Sequence, residues 1–337
     1  MVFYLILSTA FCISCRSPQD IEAFLKELHK VGKLNGNALI VRNDSVIYEK
    51  SFGYADGTRQ SPLTSEYRFG IGSIYKEFPA VAIMQLEEEG RLTLEDRLSR
   101  FLPHLPTWAK EVSIKHLLQY SSGLPKIDWQ SYFQQEVIVN EDNIVQDLSH
   151  LEKLTFEPGT DYLYSNYNPF LLMRIVETVA NTKFEKYIEQ KISTPFELGG
   201  IVIEDGYPYR DTNLMAPPIN EKFEEDDYAI EVTNICSSAI SMYRWFNQLD
   251  NFAIISKASM KQLSEEAIPE NNIQAPLGRC DWKNDNITLH LHHGSSGNYE
   301  SLVRNYPQDN LTIVLLTNQK HGNLHDMADM IYELARQ

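Results

Sequence analysis

The strand signals of this 337-residue chain lie at its two ends, and its helix signals lie between them. Near the start, "NALIVR" (37–42) and "SVIYEKSFG" (45–53) are β-rich runs joined by "NDS", whose turn formers predict a hairpin. Near the end, "ITLHLHH" (287–293), "ESLVRNY" (300–306) and "LTIVLLTN" (311–318) are strand-like, with tight turns between them. The middle, about 105 to 215, has helical periodicity in "NEDNIVQDLSHLEKL" and "NPFLLMRIVETVANTKFEKYIEQKI". It also holds "SIKHLLQYSSGLP", a short helix broken at Gly123 and Pro125. A last helix, "LHDMADMIYELARQ", places Met327, Met330, Ile331 and Leu334 on one face. The economical solution is an α/β (α+β) fold. One antiparallel sheet is built from both chain ends and flanked by helices, and an all-helical lobe is inserted. This gives a single domain over about 20–337, with an α/β lobe at about 20–100 and 215–337 and a helical lobe at about 101–214. Ligand sites favour the seam between two such lobes.

Hydrophobic residues make up 43% of the chain and charged residues 23%, which supports a proper core and excludes a disordered chain. The 30 basic and 46 acidic residues leave a net charge of −16 with no basic stripe, so nucleic acid is excluded as a partner. No cofactor motif and no Cys-x-x-Cys pair occurs in the body of the chain. The first residues, "MVFYLILSTAFCISC", are apolar from Val2 to Cys15. That run is too short to span a bilayer and fits the core of a secretory signal, although a positive leading region is missing. "ISC" resembles the end of a bacterial lipoprotein signal, which makes Cys15 a candidate lipid anchor and the protein an exported, periplasmic or membrane-anchored one. If Cys12 and Cys15 belong to that signal, Cys236 and Cys280 remain, and two free thiols are expected rather than a disulfide framework.

Chemistry concentrates in three stretches. In "GIGSIYKEF" (70–78), Ser73 and Lys76 lie three apart ahead of an apolar run read as a helix from Ser73 to Gly90. One helical turn puts their β-carbons about 5–6 Å apart, so the amine reaches the hydroxyl. A nucleophile at a helix start also has free backbone N–H groups beside it. An ordinary lysine, pKa about 10.4, is a poor base at neutral pH, so burial or a nearby cation must lower it. Taken alone, the pair reads equally as a capping serine and a solvated lysine. Pro79, inside the predicted helix, removes the N–H that would bond the Tyr75 carbonyl. The second stretch sets Tyr164 and Asn166 in a loop ahead of a helix, where they either face one cleft or pack and cap that helix. The third, "HLHHGSSGNYESLV" (290–303), puts His290 and His292 on one strand face. That spacing suits a metal, but further ligands are missing nearby, so no metal is assigned.

Taken together, these stretches resemble the serine β-lactamase and penicillin-recognising family, on the side of class C β-lactamases, D-alanyl-D-alanine carboxypeptidases and esterases. The order Ser73-Ile-Tyr-Lys76, Tyr164-Ser-Asn166, His292-His-Gly294 carries the likeness, which spans about 34 to 335. "GNALIVRNDSVIYEKSFGYAD", "QLEEEGRLTLEDRLSRFLPHLP", "SIKHLLQYSSGLP" and "NYPQDNLTIVLLTN" resemble the family's flanking segments, with Tyr120 where histidine is usual. The resemblance implies a β-lactamase/transpeptidase-like fold and a serine hydrolase that forms an acyl-enzyme on an ester, amide or D-amino-acid peptide. It implies Ser73 as nucleophile and Lys76 as its proton acceptor or relay, with Tyr164 as base or keeper of the proton network. Asn166 would orient the substrate amide and Lys76, and Gly294 would let substrate lie along the strand. The amides of Ser73 and Ser295 would form the oxyanion hole. His292 stands where the family's lysine would be, and a histidine is charged only part of the time, which disfavours recognition of a penicillin-type carboxylate. "SSGNY" lacks the family's usual proline, and spacing to Gly294 and Tyr299 favours His292 over His293. A true β-lactamase, a catalytically silent penicillin-binding-like sensor and a metallohydrolase are the other readings.

Overall fold

A computed structural model describes residues 18–204, 214–225, 234–266 and 276–336. The apolar leader and Cys15 lie outside the described residues. The N-terminal hairpin pairs β1 (Gly36–Arg42) with β2 (Ser45–Phe52), and Asn43 and Asp44 both take positive φ in the turn. Asparagine and aspartate tolerate that region, so the turn follows the twist of the strands. At the other end, β6 (Arg279–Lys283), β7 (Asn286–Ser296), β8 (Tyr299–Tyr306) and β9 (Leu311–Thr317) form a meander. Strand β1 then docks on β9, from Gly36 opposite Thr317 to Arg42 opposite Leu311. The six-stranded antiparallel sheet, ordered β2-β1-β9-β8-β7-β6, therefore joins the two chain ends as the sequence requires.

Both faces of this sheet are covered, so its central strands β1, β9 and β8 are buried with almost no alternation. Helices α1 (Pro18–Lys30) and α11 (Leu324–Ala335) cover one face, where Ile21 and Leu25 pack with Ile40, Ile313, Met327 and Ile331. Met330 does not join them; it is exposed, and Ala328 takes the inward place instead. The other face receives α2 (Glu77–Glu88) and α9 (Ala239–Asp250), with Phe78, Trp245 and Phe246 against Leu39, Val303 and Val314. Between α2 and the later strands the chain runs through α3 (Leu98–Phe101), α4 (Ile114–Leu118), α5 (Trp129–Gln134), α6 (Glu141–His150), α7 (Tyr167–Ala180) and α8 (Phe184–Ile188). The long helix expected from residue 168 ends at Asn181, which adopts a left-handed conformation and separates α7 from α8. Helix α10 (Lys257–Leu263) precedes the meander.

A second, three-stranded sheet, β3-β5-β4, joins β3 (Phe69–Gly70), β4 (Val202–Glu204) and β5 (Asn234–Ser237). It has one clear task, to position the chain entering Ser73. The Ile71 N–H donates to the Ile235 carbonyl at 3.0 Å, and the Ser301 hydroxyl donates to the Gly70 carbonyl at 3.2 Å. Cys236 is buried, Cys280 is half-buried, and neither forms a disulfide. No described helix is long and apolar enough to cross a membrane.

Candidate active site

The expected helix from Ser73 is two helices. Gly72–Lys76 form a single 3₁₀ segment, and the α-helix begins at Glu77. Pro79 therefore occupies the first α-helical turn, where an N–H has no intrahelical partner to lose. Ser73 caps nothing with its side chain, so its hydroxyl is free for other partners. Lys76 Nζ lies 3.0 Å from Ser73 Oγ, and the Tyr164 hydroxyl donates to the same Oγ at 2.9 Å. Ser73 is only half-buried, whereas Lys76 is 4% exposed. A reachable hydroxyl thus sits above a desolvated amine. Burial favours the neutral amine and brings the Lys76 pKa down to about 7. This supplies what a lysine base requires, and it comes from burial rather than from a neighbouring cation.

Tyr164 moves the other way. Burial pushes its phenol up to about 12, against a smaller lowering by the Ser73 hydroxyl. It is held in place by stacking on Tyr120, with ring centroids 5.2 Å apart and planes 17° apart. Tyr120 is buried and has φ +54°, and its own pKa is raised by burial and by the tyrosines around it. Lys76 Nζ also faces the rings of Tyr75 and Tyr164, at 4.4 and 5.0 Å from their centroids.

Asn166 begins α7 by its backbone, but its side chain makes no cap hydrogen bond. Its Oδ1 is buried and, among the described residues, finds no donor. That leaves an unused acceptor two residues from Tyr164. On the other flank, β7 presses against the 3₁₀ segment. A β-carbon on Gly294 would lie 1.9 Å from the Ile71 carbonyl oxygen and 2.9 Å from the Ser73 amide nitrogen. Gly72, at φ +53°, approaches just as closely: a β-carbon there would be 2.3 Å from the Ser295 nitrogen. The amides of Ser73 and Ser295 are thus brought to one narrow crevice, which only glycines at 72 and 294 permit.

His292 is buried on β7, and its Nδ1 lies 2.6 Å from Glu77 Oε1. His293 points away to the half-buried side, with Nε2 3.0 Å from Glu300 Oε1. Burial lowers the His292 pKa; Glu77 pulls it back up, and His290 and Lys76 push it further down. Glu77, Asp250 and the role of His290 were not legible as part of a site. The one signal was an acidic residue, Glu77, within the apolar run after Lys76. No group of three or more His, Cys, Asp or Glu among the described residues is arranged to hold a metal ion.

Proteins of known sequence and structure resemble this chain along most of its length. Penicillin-binding protein 4* of Bacillus subtilis is 26% identical over 340 residues, covering 92% of this chain and 74% of that protein. Protein flp of Staphylococcus aureus is 26% identical over 324 residues, covering 90% of this chain and 63% of its own longer sequence. Among solved structures, a penicillin-binding protein from Bacillus halodurans superposes with a TM-score of 0.80 at 22% identity, covering 92% of this chain and 98% of that one. EstCE1, described as a hydrolase with promiscuous acyltransferase activity, gives 0.74 at 19% identity, covering 95% and 98%. The D-amino acid amidase of Ochrobactrum anthropi gives 0.74 at 17% identity, covering 94% and 99%. At such identities the structures share the fold alone. The family model described as Beta-lactamase matches residues 21–336, and the chain belongs to that family.

Proposed function

We propose that this protein is a serine hydrolase that acts through a Ser73 acyl-enzyme on an ester, amide or D-amino-acid peptide. The observation that carries this reading is the Ser73 hydroxyl, set within 3.0 Å of a buried amine and 2.9 Å of a buried phenol. Near pH 7 a large share of Lys76 is the neutral amine, which accepts the Ser73 proton as Oγ bonds to the substrate carbonyl carbon. The carbonyl oxygen gathers negative charge, and the Ser73 and Ser295 amides receive it. Tyr164 keeps its proton at this pH and so serves as a donor. It gives its proton to the leaving oxygen or nitrogen, and the proton on Lys76 then neutralises the phenolate. Water then attacks the acyl carbon and gives a proton to Lys76. Ser73 Oγ departs with the proton that Lys76 took from the water, and the starting state returns. The free Asn166 Oδ1 is an acceptor for a substrate amide N–H.

The activity-independent test is covalent labelling. A fluorophosphonate and, separately, a fluorescent penicillin are applied to the wild type and to Ser73→Ala, and the adduct is mapped by peptide mass. An adduct on Ser73 that Ser73→Ala abolishes is expected. No adduct on Ser73 from either reagent refutes the reading. Nitrophenyl esters, a D-Ala-D-Ala peptide and a chromogenic cephalosporin then rank the substrate classes, and a cephalosporin turned over fastest would favour a true β-lactamase.

A further inference from the structure

Behind the Ser73 site lies a row of buried charges that the proposed reaction does not use. Glu77 is wholly buried, and its Oε2 accepts from Trp245 Nε1 at 2.5 Å. Its Oε1 faces two histidines, His292 Nδ1 at 2.6 Å and His290 Nε2 at 3.5 Å. His290 is also wholly buried. Its Nδ1 is 2.7 Å from Asp250 Oδ1, and its Nε2 is 3.1 Å from the Leu277 carbonyl oxygen. Asp250 accepts from Asn305 Nδ2 in turn, and Thr312 donates to Asn305 Oδ1 at 2.8 Å.

Hydrogen-bond bookkeeping decides the charges. Both nitrogens of His290 face groups that only accept, a carboxylate on one side and a carbonyl plus a carboxylate on the other. Both must therefore carry protons, which makes His290 an imidazolium. Burial opposes that charge, but Asp250 and Glu77 outweigh it and raise the His290 pKa well above its usual value. His292 meets Glu77 through Nδ1, so Nδ1 must also be the protonated nitrogen. A second proton on Nε2 would put another cation beside His290 and Lys76 in a buried place, and those two neighbours oppose it. The other groups around this row are Asn305 from β8, Cys280 from β6 and the Phe246 ring, tilted against His290 with centroids 4.4 Å apart.

We propose that Glu77, itself fixed by His290 and Asp250, is a positioning residue that holds His292 as a neutral imidazole with its proton on Nδ1. The motif strand then carries an uncharged ring near Lys76, where a lysine would be a fixed cation. The reaction selects acyl substrates without a carboxylate at that subsite. This substrate claim rests on the hydrolase reading above; the state of the two histidines does not.

The test separates the two. ¹⁵N-histidine-labelled protein is followed by NMR from pH 5.5 to 8.5, with signals assigned by loss in His290→Gln and His292→Gln. His290 is expected to keep both nitrogens protonated throughout, and His292 to stay neutral with the proton on Nδ1. Asp250→Asn should make His290 titrate within that range, and Glu77→Leu, which leaves no acceptor oxygen, should abolish the Nδ1–H signature of His292. Phe246→Leu loosens packing on His290 without altering a charge and should leave both signatures in place, which distinguishes the charge row from mere stability. A His292 signal that titrates near its ordinary pKa, or that carries its proton on Nε2, overturns the proposal. So does an Asp250→Asn variant whose histidine signals are unchanged. In turnover, a D-Ala-D-Ala peptide and its C-terminal amide should have similar kcat/KM, and a tenfold preference for the free carboxylate refutes the substrate claim. If Ser73 does not label while the histidine signals are as expected, the hydrolase reading fails and the charge row stands.

Discussion

Lys76→Met tests the central electrostatic claim through stability rather than activity. Methionine keeps the unbranched stem and most of the volume but cannot hold a charge. In the unfolded chain the amine has its ordinary pKa of 10.5, and in the folded protein burial lowers it to about 7. Below pH 7 both states carry the proton, and folding bears the whole cost of burying it. Between pH 7 and 10.5 the unfolded state binds more protons, so wild-type stability rises with pH. At about 1.36 kcal/mol for each unit of pKa, the cost is about 5 kcal/mol at pH 7 and vanishes near pH 10.5. Losing the contact with Ser73 Oγ takes about 1 kcal/mol from the variant. Lys76→Met should therefore be more stable by about 4 kcal/mol at pH 7, with the two proteins equal at roughly pH 10. Urea unfolding of both proteins at pH 6.5, 7.5, 8.5 and 9.5 reads this directly, because all other titrations are common and cancel in the difference. The variant should also lose turnover. A difference that does not change with pH, or a wild type that is the more stable at pH 7, refutes the buried neutral amine.

The same amine sets a pH profile: kcat/KM on a neutral ester should rise as pH passes through about 7, and a flat profile from pH 5.5 to 8.5 would exclude Lys76 as the base. Tyr164→Phe keeps the stack on Tyr120 and removes only the donor, so kcat should fall by about 10²–10⁴ with little change in unfolding midpoint. Gly294→Ala drives a methyl group into the Ile71 carbonyl, so it should widen the crevice and suppress labelling of Ser73 even where the protein folds, and normal labelling would show that the crevice is not used. Cys15→Ser should abolish incorporation of a labelled fatty acid in a bacterial host, and unchanged incorporation would remove Cys15 as the anchor.

The sheet was legible because β1 and β9 carry continuous apolar runs and its first turn is an Asn-Asp pair. The same logic would have found β6. Asn284 and Asp285 form a second turn with positive φ at both residues, between a half-buried strand and "ITLHLHH". Strand β6 lacks an apolar run because it lies at the sheet edge, so only its turn announces it. Strands β3, β4 and β5 are two to four residues each and are fixed by partners far away in the chain, which no local pattern records. The meeting of Ser73, Lys76 and Tyr164 followed from motif order. The charge row did not, because Glu77, Asp250 and His290 lie on three elements and each resembles an ordinary solvated or metal-seeking residue when read singly. Met330 shows the limit of a periodic face, since one of its four apolar positions turns outward in the middle of the helix.

Pro79 links these observations. Lys76 and Glu77 are neighbours in sequence, yet one serves the Ser73 hydroxyl and the other the histidines of β7. Consecutive residues on a helix point about 100° apart, so the junction of the 3₁₀ segment and α2 sends the two charges in different directions. The junction must fall between residues 76 and 77. A helix continued unbroken from Ser73 would need an N–H at position 79 to bond the Tyr75 carbonyl, and proline has none. Proline is tolerated in a first turn, so it permits α2 to start at Glu77 and disfavours an earlier start. Gly72 and Gly294 let β7 close on that junction from the other side. The buried amine and the buried carboxylate each cost folding energy when considered singly. Placing them at adjacent positions gives the carboxylate two histidines to offset its burial, and leaves the amine desolvated and therefore neutral enough to accept a proton near pH 7.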